Sequence, residues 1–300
     1  MSQEKSFIDH SYNLHELHLK EMENGKKDPL MRLKIEGSID YWRHERIYEM
    51  LRPLMNPGGS WLTVGDGIGT DGAWLEKNKM DVIASDIGDT LLKKAQEQGF
   101  VSNISRQNAE ALTYNDNTFD YVLCKEAYHH FPRPYLAVYE MLRASNKGII
   151  LIEPQDPIMS YPLLLLLKNI IYHFNHRWLR KFWKNQYSFE EVGNYVYKIS
   201  EREIEKIAMG IGYPAIAVAG INHYYNNAPS MAQVPANPAE WNKAKRKVAF
   251  KDLICKWGIV PYGLMCCIIF KTTPDQQTIS DLQKKGFRYI ELPPNPYAQR

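Results

Sequence analysis

Cysteine is scarce in this chain and poorly placed for metal or cross-links. The 300 residues include four, at Cys124, Cys255, Cys266 and Cys267. None forms a C-x-x-C pair and two are adjacent, so neither zinc-ligand nor disulfide-framework spacing is present. Reduced, buried thiols in a cytoplasmic protein are the expectation. Long apolar runs are also missing. The longest, Ile158 to Phe174, is interrupted by Pro162, Lys168, Asn169 and His173, and falls short of the ~18 clean apolar residues of a spanning helix. The opening MSQEKSFIDH is polar and lacks the apolar core of a secretory signal, so none is expected. Charge of one sign is lacking too: 37 Lys and Arg stand against 34 Asp and Glu, a net +3. That is too even for the concentrated basic patch of a nucleic-acid binder. No internal repeat or low-complexity tract occurs, and no clustered His/Asp/Glu set points to a metal.

What is present is ordinary globular material, 44% hydrophobic and 24% charged, in a chain long enough to bury a full core without staples. Residues 38–55 read as an amphipathic helix, with Ile39, Trp42, Ile47, Leu51 and Leu54 at helical spacing and Pro57-Gly58-Gly59 as its stop. Strand candidates follow at 61–64, 81–84, 119–124 and 148–152, alternating with helix candidates at 73–77, 90–98 and 134–144. That alternation implies βαβ units and a mainly parallel sheet. Two capping boxes, Ser188 with Glu191 and Ser200 with Glu203, open later helices. Further strands are expected at 215–218 and 264–270, and helices at 239–256 and 280–285.

The segment Val64-Gly65-Asp66-Gly67-Ile68-Gly69-Thr70-Asp71-Gly72 joins a predicted strand to a predicted helix. Glycines there permit a sharp turn and close approach of a ligand, and the helix start adds N–H donors. Gly67, Gly69 and Gly72 fit the G-x-G-x-x-G of a dinucleotide fold; Gly65, Gly67 and Gly69 fit a G-x-G-x-G instead. A purely structural turn is the third reading. Asp86 ends the next strand, where two acceptor oxygens suit the vicinal hydroxyls of a ribose.

The context separates these readings. Gln107-Asn108-Ala109-Glu110, then Phe119-Asp120-Tyr121-Val122 leading into Cys124-Lys125-Glu126-Ala127-Tyr128-His129-His130-Phe131, then Gly148 to Pro154, follow in series. This order resembles the class I S-adenosylmethionine (SAM)-dependent methyltransferases over residues 40–155, and more loosely at 200–220 and 264–270. The resemblance implies that Gly65, Asp66, Gly67 and Gly69 pack under the amino-acid and ribose portions of SAM. It implies that Asp86 holds the ribose hydroxyls, Ile87 lies against the adenine, and Asn108 and Ala109 contact its edge. It places Cys124 and Lys125 under the methionine moiety. Two positions depart from the family pattern. Thr63 stands where an acidic residue is usual, and its hydroxyl is expected to replace part of that contact. Asn108 stands where Asp is frequent, and an amide both donates and accepts.

A methyl acceptor of hydroxyl type calls for a general base, and His129 and His130 are the first candidates; helix capping or packing is the plainer role for either. Glu153, at the end of the fifth strand, would orient or deprotonate an acceptor, or cap a loop. His223 with Tyr224 and Tyr225 reads either as a wall of the acceptor pocket or as packing. The (Asp/Asn)-Pro-Pro-aromatic motif of adenine amino-methylation is absent after the fourth strand, where Cys124-Lys125-Glu126-Ala127 stands. Tyr161 to Tyr187 mixes leucines, aromatics and basic residues. It reads as a lid, as an interfacial segment meeting a membrane or lipid-linked substrate, or as a dimer contact or core helix. The tail, Gly286-Phe287-Arg288 and Leu292-Pro-Pro-Asn-Pro-Tyr297, resembles those of bacterial methyltransferases acting on surface glycans and sugars.

The expectation is therefore one α/β domain over 1–300. Its Rossmann-like sheet has seven mostly parallel strands with helices on both faces. A helical cap spans 1–55, the SAM-binding core 56–155, a lid or acceptor insertion 156–200, and the rest of the sheet 201–300. SAM is the implied cofactor, S-adenosylhomocysteine the product, and the oxygen of a sugar, surface-glycan precursor or related metabolite the acceptor. A silent SAM-fold partner subunit and an NAD(P)-dependent oxidoreductase are the alternatives.

Overall fold

The computed structural model describes residues 2–24, 28–156, 161–175, 177–178, 188–189, 195–224, 231, 233–235 and 237–297. The Ser188–Glu191 capping box, Tyr225 and most of the segment beyond Trp178 lie outside them.

Eight strands form one sheet, one more than expected: β1 Ser60–Val64, β2 Asp81–Asp86, β3 Ile104–Arg106, β4 Phe119–Lys125, β5 Ser145–Pro154, β6 Ala215–Ile221, β7 Leu264–Phe270 and β8 Arg288–Glu291. Their order is β3-β2-β1-β4-β5-β7-β6-β8. The strands from β3 through β5 pair in parallel; β7 runs antiparallel to both β5 and β6, and β8 antiparallel to β6. The extra strand is a four-residue edge, RYIE, too short to show a period by itself. Its partner β6 has a fully apolar run and supplies the register.

Central strands are buried on both faces, as parallel sheets must be. Leu62, Val122, Ile149 and Leu151 face one core with Ala137, Met141 and Ile204. Trp61, Leu123, Ile150 and Ile152 face the other with Ile47, Leu51, Trp74 and Leu282. The period-2 alternation of each strand thus meets a helical layer on each side. These layers come from α3 Ile39–Tyr48, α4 Thr70–Lys77, α5 Thr90–Glu97, α6 Pro134–Ala144, α8 Glu201–Ile211, α9 Pro238–Lys256 and α10 Gln276–Lys284. α1 Ser2–Asn24 and α2 Met31–Lys34 precede them, and α7 Pro162–Phe174 lies between β5 and α8.

Helix boundaries differ from the sequence reading most at two places. The helix expected over 38–55 ends at Tyr48, and Arg52–Leu54 forms a separate 3₁₀ turn. Pro53 lacks the N–H to continue the ladder. The last helix starts at Gln276, four residues before Ser280, because Asp275 accepts from the Thr278 N–H and caps it. The Ser200–Glu203 capping box forms as expected.

The chain reverses its winding between β1 and β4. In open α/β sheets that switch point leaves a crevice outside the carboxyl ends of the strands.

Candidate active site

The crevice is a cavity of about 680 Å³, lined by the turn after β1, the ends of β2 and β4, and the N-terminal helices. That volume lies within the ~300–1,000 Å³ of small-molecule sites.

The glycine turn is built for close approach. Gly65 has φ +71, and a Cβ there would sit 2.4 Å from the Ala127 Cβ. Gly67 has φ +51, and its N–H donates to Asp86 Oδ2 at 2.8 Å. Asp86 Oδ1 accepts the Gly88 N–H at 3.2 Å. Burial pushes the Asp86 carboxyl up from the usual range, while the N–H groups of Gly88, Gly67 and Ile87 pull it down. Asp86 lines the cavity with Gly65, Gly67, Ile87, Asn108 and Ala109. Asn108 itself forms an Asx turn, its Oδ1 accepting the Glu110 N–H at 2.9 Å. Gly69, with φ +78, caps the start of α4 and stands outside the lining.

Asp66 lines the cavity, but its side chain turns away to organise the helix start. Its carboxylate accepts the N–H of Asp71 at 2.9 Å and of Gly72 at 2.8 Å, and the Thr63 hydroxyl at 2.9 Å. Burial, then the neighbouring Asp71 charge, holds it well above its usual range. Thr63 is fully buried. Its hydroxyl therefore serves Asp66 and does not replace an acidic contact in the cavity. The next layer is Asp71, which accepts the Tyr48 hydroxyl and pairs with Lys125 Nζ at 3.1 Å. Lys125 lines the cavity, whereas Cys124 is fully buried outside it. Burial and the Glu153 charge keep the Cys124 thiol well above its usual range. All four cysteines are buried free thiols.

The fifth strand delivers Glu153, fully buried and outside the lining. Its Oε1 accepts the Ala127 and Tyr128 N–H groups at 2.7 and 2.9 Å. Its Oε2 lies 2.7 Å from His129 Nδ1. A carboxylate only accepts, so this contact puts a proton on Nδ1 and, in the neutral ring, the lone pair on Nε2. Glu153 is therefore a positioning residue. His129 and His130 both line the cavity, their rings 4.1 Å apart, with the His15 ring 5.0 Å from His130.

Several lining residues escaped the sequence reading. Tyr12, His15, His18 and Leu19 of α1 line the cavity. Glu110 seats that helix by accepting the Tyr12 hydroxyl at 2.6 Å, together with Arg133 Nε at 2.7 Å. Arg32 and Arg43 share Asp40, at 2.7 and 3.1 Å, and all three line the cavity. Glu126 also lines it, with a positive φ of 52. Burial raises its carboxyl, but Lys125, Arg43 and nearby cations bring it below the usual range. Charged residues spaced along an otherwise plain helix give no local sign of a site, and only convergence in space marks them. His223 lines the cavity, and burial brings it down to about 4. Thr70, in the first turn of α4, is buried and lines the cavity with its Oγ1 lacking a protein partner. No cluster of three or more metal-ligating side chains occurs among the described residues.

Tested against a nucleoside-bearing cofactor, the residues fit. Open space lies where a Cβ would stand at Gly67, the Asp86 carboxylate lines the cavity, and Thr70 presents a buried hydroxyl without a protein partner.

Residues 62–152 match the family described as "Methyltransferase domain". This match sets aside the nicotinamide reading. No curated protein matches the chain in sequence. Among solved structures, a SAM-dependent methyltransferase from Thermotoga maritima is 15% identical, covering 87% of this chain and 100% of its own, with a TM-score of 0.47. A SAM-dependent methyltransferase from Archaeoglobus fulgidus is 14% identical, with coverages of 81% and 98% and a TM-score of 0.48. Magnesium protoporphyrin IX methyltransferase from Synechocystis, solved with bound SAH, is 16% identical, with coverages of 76% and 83% and a TM-score of 0.43. At that distance none of the three informs the choice of acceptor.

Proposed function

We propose that this chain, whose residues 62–152 match the methyltransferase-domain family, is a SAM-dependent enzyme that methylates an oxygen of a small acceptor, a sugar, surface-glycan precursor or related metabolite. The observation that carries the proposal is the His129–Glu153 contact at 2.7 Å beside the cavity. SAM, when bound, supplies a methyl group already activated on a sulfonium. Asp86 would hold the ribose hydroxyls, Ile87, Asn108 and Ala109 the adenine, and Gly65 and Gly67 the backbone beneath. Lys125, held by Asp71, would face the methionine portion.

The remaining requirement is an acceptor oxygen with a place for its proton. Glu153 fixes His129 with its lone pair on Nε2, the form that accepts a proton from a hydroxyl; positioned bases of this kind contribute roughly 10²–10⁴ in rate. His130, stacked beside it, is the second candidate. Helix α1 covers the cavity from one side and limits water, which favours orientation of a bound acceptor. We place the activity in the cytoplasm; among the described residues no helix is long and apolar enough to cross a membrane.

The test is SAH release from a panel of sugars, nucleotide sugars and hydroxylated metabolites, with amines as contrast, for the wild type and for His129→Ala and His130→Ala separately. Turnover of a hydroxyl acceptor, with one histidine variant losing 10²-fold or more in kcat at unchanged SAH affinity, is expected at about the magnitude of general-base catalysis. Turnover confined to amines, or full activity in both variants, would overturn the proposal.

A further inference from the structure

Helix α7 is turned the wrong way for a helix of a water-soluble domain. None of its 13 residues is buried. Its outward stripe at i, i+3, i+4, i+7 and i+11 is Leu163, Leu166, Leu167, Ile170 and Phe174, exposed by 75%, 56%, 39%, 46% and 81%. Amphipathic surface helices place such a stripe inward. Helix α9 repeats the pattern in two halves. Ala244, Val248 and Cys255 face the core, while one exposed face runs from Lys243 and Arg246 to Phe250, Leu253 and Trp257. The apolar end continues into Ile259, 62% exposed.

The two surfaces belong to one edge of the molecule. Pro154, the end of β5, pairs with Leu264, the start of β7. The segments leaving β5 and entering β7 therefore share the carboxyl edge of the sheet, where the end of β4 brings Lys125 to the cavity. The Tyr161 hydroxyl, at the start of α7, donates to the Val260 carbonyl at 3.0 Å and ties the segments together.

We propose that this edge docks on an anionic phospholipid surface, with α7 lying in the plane of the headgroups. A helix of 13 residues is about 20 Å long, too short to span a bilayer but suited to lie along it. The charge selects the occupant. Helix α9 carries six basic residues (Lys243, Lys245, Arg246, Lys247, Lys251 and Lys256) against two acidic ones, Glu240 and Asp252. Basic residues beside an apolar patch complement anionic headgroups. A second copy meeting the same patch across a two-fold would set like charge against like charge.

Sedimentation of the full chain with vesicles tests this. One set is phosphatidylcholine with roughly one-third phosphatidylglycerol, to supply the anionic surface; the other is phosphatidylcholine alone. Binding to the anionic set only, weakened by salt, is expected. Leu166→Ser with Ile170→Ser should lower the partition by about tenfold or more through lost apolar burial. Lys243→Glu with Arg246→Glu should do so by about tenfold through charge. Circular dichroism and SAH affinity should be unchanged in both variants, whose substitutions lie on exposed positions outside the cavity lining. Absence of binding, equal binding to both vesicle sets, or a dimer in light scattering that Leu166→Ser disperses would each overturn the proposal.

Discussion

Asp86→Asn isolates the cofactor end of the cavity with a nearly isosteric change. The carboxylate has about four lone-pair sites. The Gly67 and Gly88 N–H groups, at 2.8 and 3.2 Å, with the Ile87 N–H beside them, take up part of these, and the remainder is what a vicinal diol would use. An asparagine has one acceptor oxygen, and its NH₂ would oppose one of the glycine N–H groups. At most one ribose hydroxyl then keeps an acceptor, and that bond loses its ionic component. Hydrogen bonds to a charged group contribute about 1.5–3 kcal/mol each, so losing one and weakening another amounts to about 2–4 kcal/mol. That corresponds to a roughly 30- to 1,000-fold weaker SAH dissociation constant at ~1.4 kcal/mol per decade. Calorimetric titration with SAH reads it directly, with thermal unfolding of the unliganded protein as control. Affinity within twofold of wild type, in a variant that folds normally, would show that Asp86 serves the glycine turn alone and would refute the ribose assignment.

Gly65→Ala combines a left-handed backbone position with a Cβ 2.4 Å from the Ala127 Cβ. The two effects together should destabilise the fold by about 2–5 kcal/mol, seen as a lowered denaturation midpoint, and weaken SAH binding as the turn shifts. Below its ordinary pKa of 6.5, His223 should make the fold less stable as pH falls. Burial holds it neutral down to about 4 in the folded state, so between those values the unfolded chain binds the additional proton. The loss is up to about 3 kcal/mol. His223→Gln should flatten that part of the profile in denaturant titrations at pH 7 and 4.5.

The class of the fold and the place of the glycine turn were legible in the chain itself, because both rest on local patterns. Strand-length apolar runs such as Trp61–Val64 and Gly148–Ile152 bury both faces wherever they sit in a parallel sheet. Gly65 and Gly67 announce a backbone that only glycine adopts comfortably, and Asp86 follows from strand length. Local signals also gave the Ser200–Glu203 cap. Where the reading failed, the deciding partner was far away in sequence. The edge strand Arg288–Glu291 exists because Ala215–Val218 offers it a register. Thr63 looked like a weakened cofactor contact, yet tertiary packing turned its hydroxyl to Asp66. Glu153 read as an orienting group, a base or a loop cap, and only the fold brings it to His129, 24 residues earlier. Tyr12 reaches the cavity only because Glu110, 98 residues on, accepts its hydroxyl. Sequence periodicity determines which face of an element is apolar. Which face another element covers, and which stays bare as along Leu163–Phe174, is decided only when elements distant in the chain are packed together.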